Sequence, residues 1–352
     1  MSRKALFGIV GAGMIARFHA QAIRKTANAA LAGFYDVRPD AAKQLAEEFN
    51  CRAYASLDEM LRDSEIRAVT IATPSGLHCD TVLSAAGAGK HILCEKPLDV
   101  TREKVDAMLK SCRDNHVHLV PVFQTRFTRP VQLLRKAVQE GRFGRMLFAS
   151  ARVHWYRTAD YYSSSPWRGT WAMDGGGALI NQAIHTVDQL LYLNGLPESI
   201  SAYSGTLTHD IEVEDTLCAS LRYANGSFGT IEASTSCKPG FPRRLELSGS
   251  SGSAVLEEDR FIRWEFETAK EEDQEIRQTL LVPGSNAGGG SAPENIPCDG
   301  HAFQISDLAN AILTGSAPAV HSSEGGNTMR FIFGIYESIR SGKPYLFNNQ
   351  KG

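Results

Sequence analysis

The sequence predicts an α/β protein: a doubly wound parallel sheet first, then an α/β domain built on a large, mostly antiparallel open sheet. Three observations carry this. The chain has 352 residues, and at roughly 150 residues per domain this predicts two packed cores rather than one. From Ala5 to about Val122, short apolar β-rich runs alternate with helical stretches, the pattern of a parallel sheet covered by helices. Beyond that point short alternating runs separated by Gly-bearing turns dominate. The boundary falls at 122/123, giving domains 1–122 and 123–352.

Taken in order, the first strands are Ala5–Val10, Ala30–Tyr35, Val69–Ala72, His91–Cys94 and Val117–Val122. Between the last two, Val105, Met108, Leu109 and Cys112 recur at i, i+3, i+4 and i+7, so Thr101–Asn115 is a surface helix on a core. Pro130 opens a further helix that Gly141 stops. Strands follow at Met146–Trp155, Ile200–Gly205, Thr216–Tyr223, Ser227–Thr235, Arg244–Leu247, Ala254–Glu257 and Phe261–Phe266. Asn225-Gly226 marks a hairpin, since both residues tolerate the positive φ of a type I′ turn. Helices over His301–Thr314 and Ser323–Ser341 finish the chain, with no internal repeat. The Gly-, Ser-, Asn- and Pro-rich segment Pro283–Gly300 reads as a surface loop, with a substrate lid as the alternative.

Composition narrows the function. Hydrophobic residues at 43% and charged residues at 22% are those of a folded, soluble domain. A net charge of −2 gives no basis for a nucleic-acid or membrane binder. Seven scattered cysteines without a CxxC pair indicate neither a disulfide framework nor a metal cluster, and fit reduced thiols in a cytoplasmic protein. The N-terminal Arg3-Lys4 and apolar Ala5–Ala16 imitate a signal peptide, but Gly8, Gly11 and Gly13 interrupt the stretch.

Gly11-Ala12-Gly13-Met14-Ile15-Ala16 follows the first strand and opens a helix, the context in which G-x-G-x-x-A binds a dinucleotide. Gly11 permits the tight turn, Gly13 lets a diphosphate approach, and N–H groups at Met14 and Ile15 open the helix end that faces it. Asp36, ending the next strand, can accept from the adenosine ribose hydroxyls and would repel a 2′-phosphate. NAD is thus favoured over NADP, with Arg38 nearby as the group that could partner a phosphate. The Thr73-Pro74-Ser75-Gly76-Leu77-His78 turn and Glu95-Lys96-Pro97 lie at strand carboxyl ends, where ligands of open α/β sheets bind. Thr73, Pro74, Ser75, His78, Glu95 and Lys96 therefore join the cofactor side, and the Lys96–Pro97 bond is a candidate cis peptide.

Glycines 175–177 precede a second helix, apolar nearly all round, on which Asn181, His185 and Asp188 form one polar stripe at i, i+4 and i+7. Gly195 stops it. A buried histidine is often a satisfied core group; the alternative is a base that titrates near neutral pH.

In these features the chain resembles the glucose-fructose oxidoreductase, inositol dehydrogenase and rhizopine catabolism family, Gfo/Idh/MocA. The resemblance rests on Gly11-Ala12-Gly13, Asp36, Thr73-Pro74, Glu95-Lys96-Pro97 and the later Gly-Gly-Gly helix with its histidine. It implies a Rossmann domain, a second domain whose open sheet supports the substrate pocket and often a subunit interface giving a homodimer or homotetramer, and bound NAD(P). It implies His185 as general base and Lys96 as the group that orients the hydroxyl. It also implies contact between Gln124 and the nicotinamide carboxamide, a linker polar residue being the alternative. Inositol dehydrogenase-like members usually carry Asp where this chain has Asn181, which can orient a substrate but cannot take its proton.

Trp155, Tyr156, Tyr161, Tyr162, Trp167 and Trp171 crowd before the glycine run, with Arg157 and Arg168 among them. Aromatic faces pack on sugar rings and guanidinium groups grip carboxylates or phosphates, so Tyr156, Arg157, Trp167 and Arg168 are candidate substrate residues. An aromatic sheet core with snorkelling arginines is the other reading. The string from Pro166 to Gln182 resembles the subgroup acting on nucleotide-linked amino-sugar uronates. Three functions follow: an NAD(P)-dependent sugar or polyol dehydrogenase without a metal, a glycoside hydrolase that oxidises transiently, or a dinucleotide-binding sensor.

Overall fold

A computed structural model describes residues 4–280 and 298–347. Two compact units divide the chain: the described residues of 1–124 with those of 296–329, and those of 125–295 with those of 330–352. No helix among the described residues is long and apolar enough to cross a membrane.

The first unit runs β1 (Ala5–Val10), α1 (Met14–Lys25), β2 (Ala29–Tyr35), α2 (Pro39–Glu48), β3 (Arg52–Ala53), α3 (Leu57–Arg62), β4 (Ile66–Ile71), α4 (His78–Gly87), β5 (His91–Cys94), α5 (Arg102–Asp114) and β6 (Leu119–Pro121). Its strands form a six-stranded sheet in the order β3-β2-β1-β4-β5-β6, with parallel pairing throughout. The order reverses between β1 and β4, which places the ligand crevice at the carboxyl ends of those strands. The strands are near-continuous apolar runs because helices cover both faces: Phe7, Ile9, Val69 and Ile71 are fully buried.

The later elements are α6 (Arg129–Gln139), β7 (Met146–His154), α7 (Ala159–Ser163), a π-helical turn (Ala178–Ala183), α8 (Ile184–Asn194), β8 (Ser199–Gly205), β9 (Thr216–Arg222), β10 (Phe228–Ser234), β11 (Arg244–Gly249), β12 (Gly252–Glu257), β13 (Arg260–Phe266), α9 (Glu271–Leu280), α10 (Asp299–Thr314), α11 (Ser322–Ser341) and β14 (Tyr345–Leu346). The eight-stranded sheet has the order β13-β12-β11-β7-β10-β9-β8-β14 and is antiparallel except for the β7–β10 pair. One face, with Ala151, Val153, Ile231, Leu221 and Leu247, is buried and carries α8 and the π turn. The other presents Phe148, Phe228 and Tyr203, 51%, 52% and 79% exposed.

Three expectations change. A contiguous division at 122/123 assigns α10 to the second domain, whereas α10 packs in the first unit. Its buried Ile305 and Leu308 need an apolar face, α1 supplies one, and Asn28 and Gln304 close the seam by bonding to the Ser306 and Pro121 carbonyls. The β9–β10 hairpin forms, but only Gly226 takes a positive φ (+84°). Its turn is closed by Gly226 N–H to the Tyr223 carbonyl (2.9 Å), and Asn225 spends its side chain on Ser227. Both β3 and α9 lie where no element is expected, being too short or too polar to show a periodic apolar pattern. Most of the 283–300 segment falls outside the described residues.

Candidate active site

In the first unit the Gly-rich turn has the shape its sequence demands. Gly11 has φ +100°, and a Cβ there would sit 2.6 Å from the Ala72 carbonyl oxygen, so only glycine fits between the β1 and β4 ends. A Cβ on Gly13 would meet nothing within 4 Å, which leaves the start of α1 open to a phosphate. Gly13 caps α1 without a side-chain hydrogen bond, and the first turn carries no acidic residue. Asp36 Oδ2 accepts from Ala12 N–H (2.7 Å) and Oδ1 from Arg38 N–H (2.8 Å), which fixes the carboxylate beside the glycine turn with further lone pairs for ribose hydroxyls. Gln124 Oε1 is buried and accepts no hydrogen bond within the described residues, as suits a group reserved for a carboxamide. These features fit a dinucleotide.

Two of the expected cofactor residues hold the protein together instead. His78 is 1% exposed, with Nδ1 2.9 Å from the Pro97 carbonyl oxygen and Nε2 2.9 Å from that of Thr73. It clamps the two turns to one another and offers no ring nitrogen to a ligand. Glu95 points inward. Its Oε1 lies 2.8 Å from His19 Nε2 and 3.8 Å from His301 Nε2, while Oε2 takes the Lys96 N–H (3.2 Å). Burial opposes the charge on Glu95, but the His19 hydrogen bond and the nearby His301 ring hold its pKa well below the carboxylate range. Burial lowers the pKa of His19, so Glu95 is the ionised partner. Among the described residues these three bring metal-ligating atoms within 4.8 Å of one another. The His19–Glu95 contact is a hydrogen bond, and the trio joins α1, the Lys96 strand end and α10. Lys96 is half-buried and precedes a cis peptide to Pro97.

In the second unit Gly177 starts the π turn because a Cβ there would lie 1.8 Å from the Glu214 carbonyl oxygen. The buried Glu214 carboxylate accepts from Gly177 N–H and Leu179 N–H (3.0 Å each) and from the Tyr336 hydroxyl (3.0 Å). Burial raises its pKa. Sequence reasoning did not find Glu214: it lies in a loop without periodic pattern. The predicted stripe divides by burial, Asp188 lying deeper than Asn181 and His185. Asn181 and His185 are half-buried. Asp188 is fully buried and ion-paired to Arg126 through Nε–Oδ2 (2.6 Å) and Nη2–Oδ1 (2.7 Å).

The aromatic segment forms a polar and aromatic cluster outside the sheet core. The Arg157 guanidinium lies 5.0 Å from the Trp155 ring centroid and 5.4 Å from that of Tyr161, and Arg168 lies 4.2 Å from Tyr161 and 4.9 Å from Trp167. Both Nε atoms are buried with no acceptor among the described residues. Burial lowers the Arg157 pKa. Tyr156, also expected among them, lies under the Lys238 ammonium (4.9 Å). Gln182, Asp174 and Tyr161 were missed as site residues. Gln182 accepts from Arg157 (2.9 Å) and donates to the Tyr161 hydroxyl (2.9 Å) and Asn181 Oδ1 (2.7 Å); Asn181 donates to Asp174. Adjacency to Asn181 was the signal for Gln182, and membership of the aromatic cluster that for Tyr161.

Residues 5–123 match a family model described as "Oxidoreductase family, NAD-binding Rossmann fold", and residues 131–255 match the "GFO/IDH/MocA C-terminal domain". Inositol 2-dehydrogenase of Rhizobium meliloti is 32% identical over 269 residues, 74% of this chain and 78% of that protein. Levoglucosan dehydrogenase of Pseudarthrobacter phenanthrenivorans is 30% identical over 311 residues, 77% of each. Among solved structures, the WlbA dehydrogenase of Chromobacterium violaceum, in complex with NADH and UDP-GlcNAcA, superposes with a TM-score of 0.89 at 32% identity, covering 99% of this chain and 98% of that one.

Proposed function

Because this chain belongs to the GFO/IDH/MocA family of NAD-binding oxidoreductases, we propose that it oxidises a secondary alcohol on a sugar acid or nucleotide-linked sugar. It is an NAD-dependent dehydrogenase of the sugar and polyol class. The finer substrate choice is supported by one observation above the rest: two arginines, each with a buried Nε lacking an acceptor among the described residues, flank Tyr161 beside Asn181. A neutral polyol gives two guanidinium groups nothing to neutralise, whereas a carboxylate or diphosphate does. The WlbA relative is described with such a ligand, UDP-GlcNAcA.

When bound, NAD accepts the carbinol hydrogen with its electron pair. In our reading His185 removes the hydroxyl proton, and returns it in the reverse direction. Lys96 orients the hydroxyl and stabilises negative charge developing on oxygen. Asn181 orients the substrate by hydrogen bonds, and its neutrality leaves the proton to His185. Gly11, Gly13, Met14 and Ile15 receive the diphosphate, Asp36 the ribose, and Gln124 the carboxamide, with Thr73, Pro74 and Ser75 lining the turn alongside. We further infer a homo-oligomer formed through the exposed face carrying Phe148, Phe228 and Tyr203, and a cytoplasmic setting in keeping with seven unpaired thiols.

The test is absorbance of reduced nicotinamide with a panel of anionic and neutral sugars. Net NADH formation with anionic sugars supports the reading, since a transient oxidation returns the cofactor unchanged. Turnover of neutral cyclitols alone rejects the substrate class.

A further inference from the structure

The polar side chains of the second unit form a hydrogen-bond chain with one direction. Arg157 Nη2 donates to Gln182 Oε1 (2.9 Å), Gln182 Nε2 donates to Asn181 Oδ1 (2.7 Å), and Asn181 Nδ2 donates to Asp174 Oδ1. Asp174 is 3% exposed, and its other oxygen accepts from Gly169 N–H (2.9 Å). The second Gln182 N–H reaches the Tyr161 hydroxyl (2.9 Å). A guanidinium can only donate and an ionised carboxylate can only accept. A flip of either carboxamide would set donor against donor at Arg157 or acceptor against acceptor at Asp174. The charged ends therefore choose the orientation of both amides, which is otherwise ambiguous for a carboxamide.

We propose that Asp174 and Gln182 are positioning residues, which fix the Asn181 carboxamide and the Arg157 guanidinium and so set the preference for an anionic substrate. This rests on the function proposed above, in which Asn181 and Arg157 touch the sugar. The physical advantage lies in where the negative charge is kept. A carboxylate at position 181 would repel an anionic ligand; here the carboxylate stands one hydrogen bond behind, at Asp174, where it polarises a neutral amide. Arg157 keeps its positive charge available because its partner in the chain, Gln182, is uncharged.

The test uses the full-length enzyme and four proteins: wild type, Asp174→Asn, Asn181→Asp and the double variant, with UDP-GlcNAcA as probe and NADH formation as readout. Asn181→Asp sets two carboxylates at hydrogen-bond distance, which must share a proton, so its kcat/KM falls about tenfold at pH 8 relative to wild type and recovers toward pH 6. The double variant again sets one carboxamide against one carboxylate, and its pH profile returns to the wild-type shape. Asn181→Asp with a wild-type pH profile, or a double variant as pH-sensitive as Asn181→Asp, overturns the proposal. Gln182→Met, close in volume, cuts the chain in the middle: KM for UDP-GlcNAcA rises about tenfold with kcat little changed and NADH affinity retained. An unchanged KM also overturns it. If wild type forms no NADH with UDP-GlcNAcA, whether or not it does so with neutral levoglucosan, the substrate reading fails by itself. The shared proton is then read from melting temperatures, where Asn181→Asp, and not the double variant, loses stability from pH 6 to pH 8; equal behaviour of the two refutes the chain.

Discussion

His185 and Asn181 sit four residues apart, and the proposed reading gives them different roles, which single substitutions separate. Replacing His185 with Ala removes the proposed base, so turnover falls by about 10²-fold or more while dinucleotide affinity, a property of the first unit, stays at the wild-type value. Stopped-flow NADH formation and NADH fluorescence titration read the two quantities; unchanged turnover removes His185 from the mechanism. In the proposed reading Asp36 has a double task, since it holds the Ala12 N–H and would also receive the ribose. Asp36→Ala therefore weakens NAD by roughly tenfold, the scale of losing hydrogen bonds to a charged group. It also narrows the gap to NADP, because Arg38 remains and the carboxylate that would repel a 2′-phosphate is gone. Competitive titration with both dinucleotides measures this, and an unaltered NAD to NADP ratio contradicts the assignment.

Elements form where the local pattern is strong and shift where a distant partner intervenes. β1 and β5 begin and end where their apolar runs do, at Ala5–Val10 and His91–Cys94. The helix after the glycine run was legible from its apolar periodicity and its Gly195 stop. The π turn that opens it was not, because it depends on Glu214, 35 to 37 residues further along the chain, capping the N–H groups of Gly177 and Leu179. Gly177→Ala drives a Cβ into the Glu214 carbonyl and either costs about 3 kcal/mol or abolishes folding, on the scale of severe core strain. By contrast Gly87→Ala, at the last turn of α4 with nothing within 4 Å of the added carbon, stabilises by about 0.5 kcal/mol through a less flexible unfolded chain. Urea midpoints of the two variants should move in opposite directions; a shared direction would refute the steric account.

Across the whole molecule, acid lability follows from buried rings, and the proposed association from an exposed sheet face. His91, stacked on His118 with ring centroids 5.0 Å apart, has its pKa pushed down to about 4 by burial, with His118 and Arg67 adding to the effect. An unfolded histidine binds its proton near pH 6.5. Between those values the unfolded chain holds more protons than the folded one, so stability falls as pH drops from about 6.5 to 4. His91→Phe flattens that slope in urea titrations at successive pH values, and an unchanged slope assigns the lability elsewhere. On the exposed face, Phe148 and Phe228 lie 6.2 Å apart between ring centroids. Phe148→Asp together with Phe228→Asp is expected to lower the mass seen by light scattering, if the face joins copies of the chain. Unaltered mass denies it that role.

By itself the sequence determined both sheets, the glycine turn after β1 and the family to which the chain belongs, and it supplied Asp36, Lys96, Asn181 and His185 to the proposed mechanism. Those features are local: a strand period, a glycine that a positive φ requires, a helix stop. Only the tertiary structure decided that His78 and Glu95 are spent inside the protein, that α10 belongs with α1, and that Asp174 and Gln182 stand behind Asn181. Each of these is a choice of hydrogen-bond or packing partner, and buried polar groups take whichever partner the folded chain brings within reach, at sequence separations that no local pattern encodes.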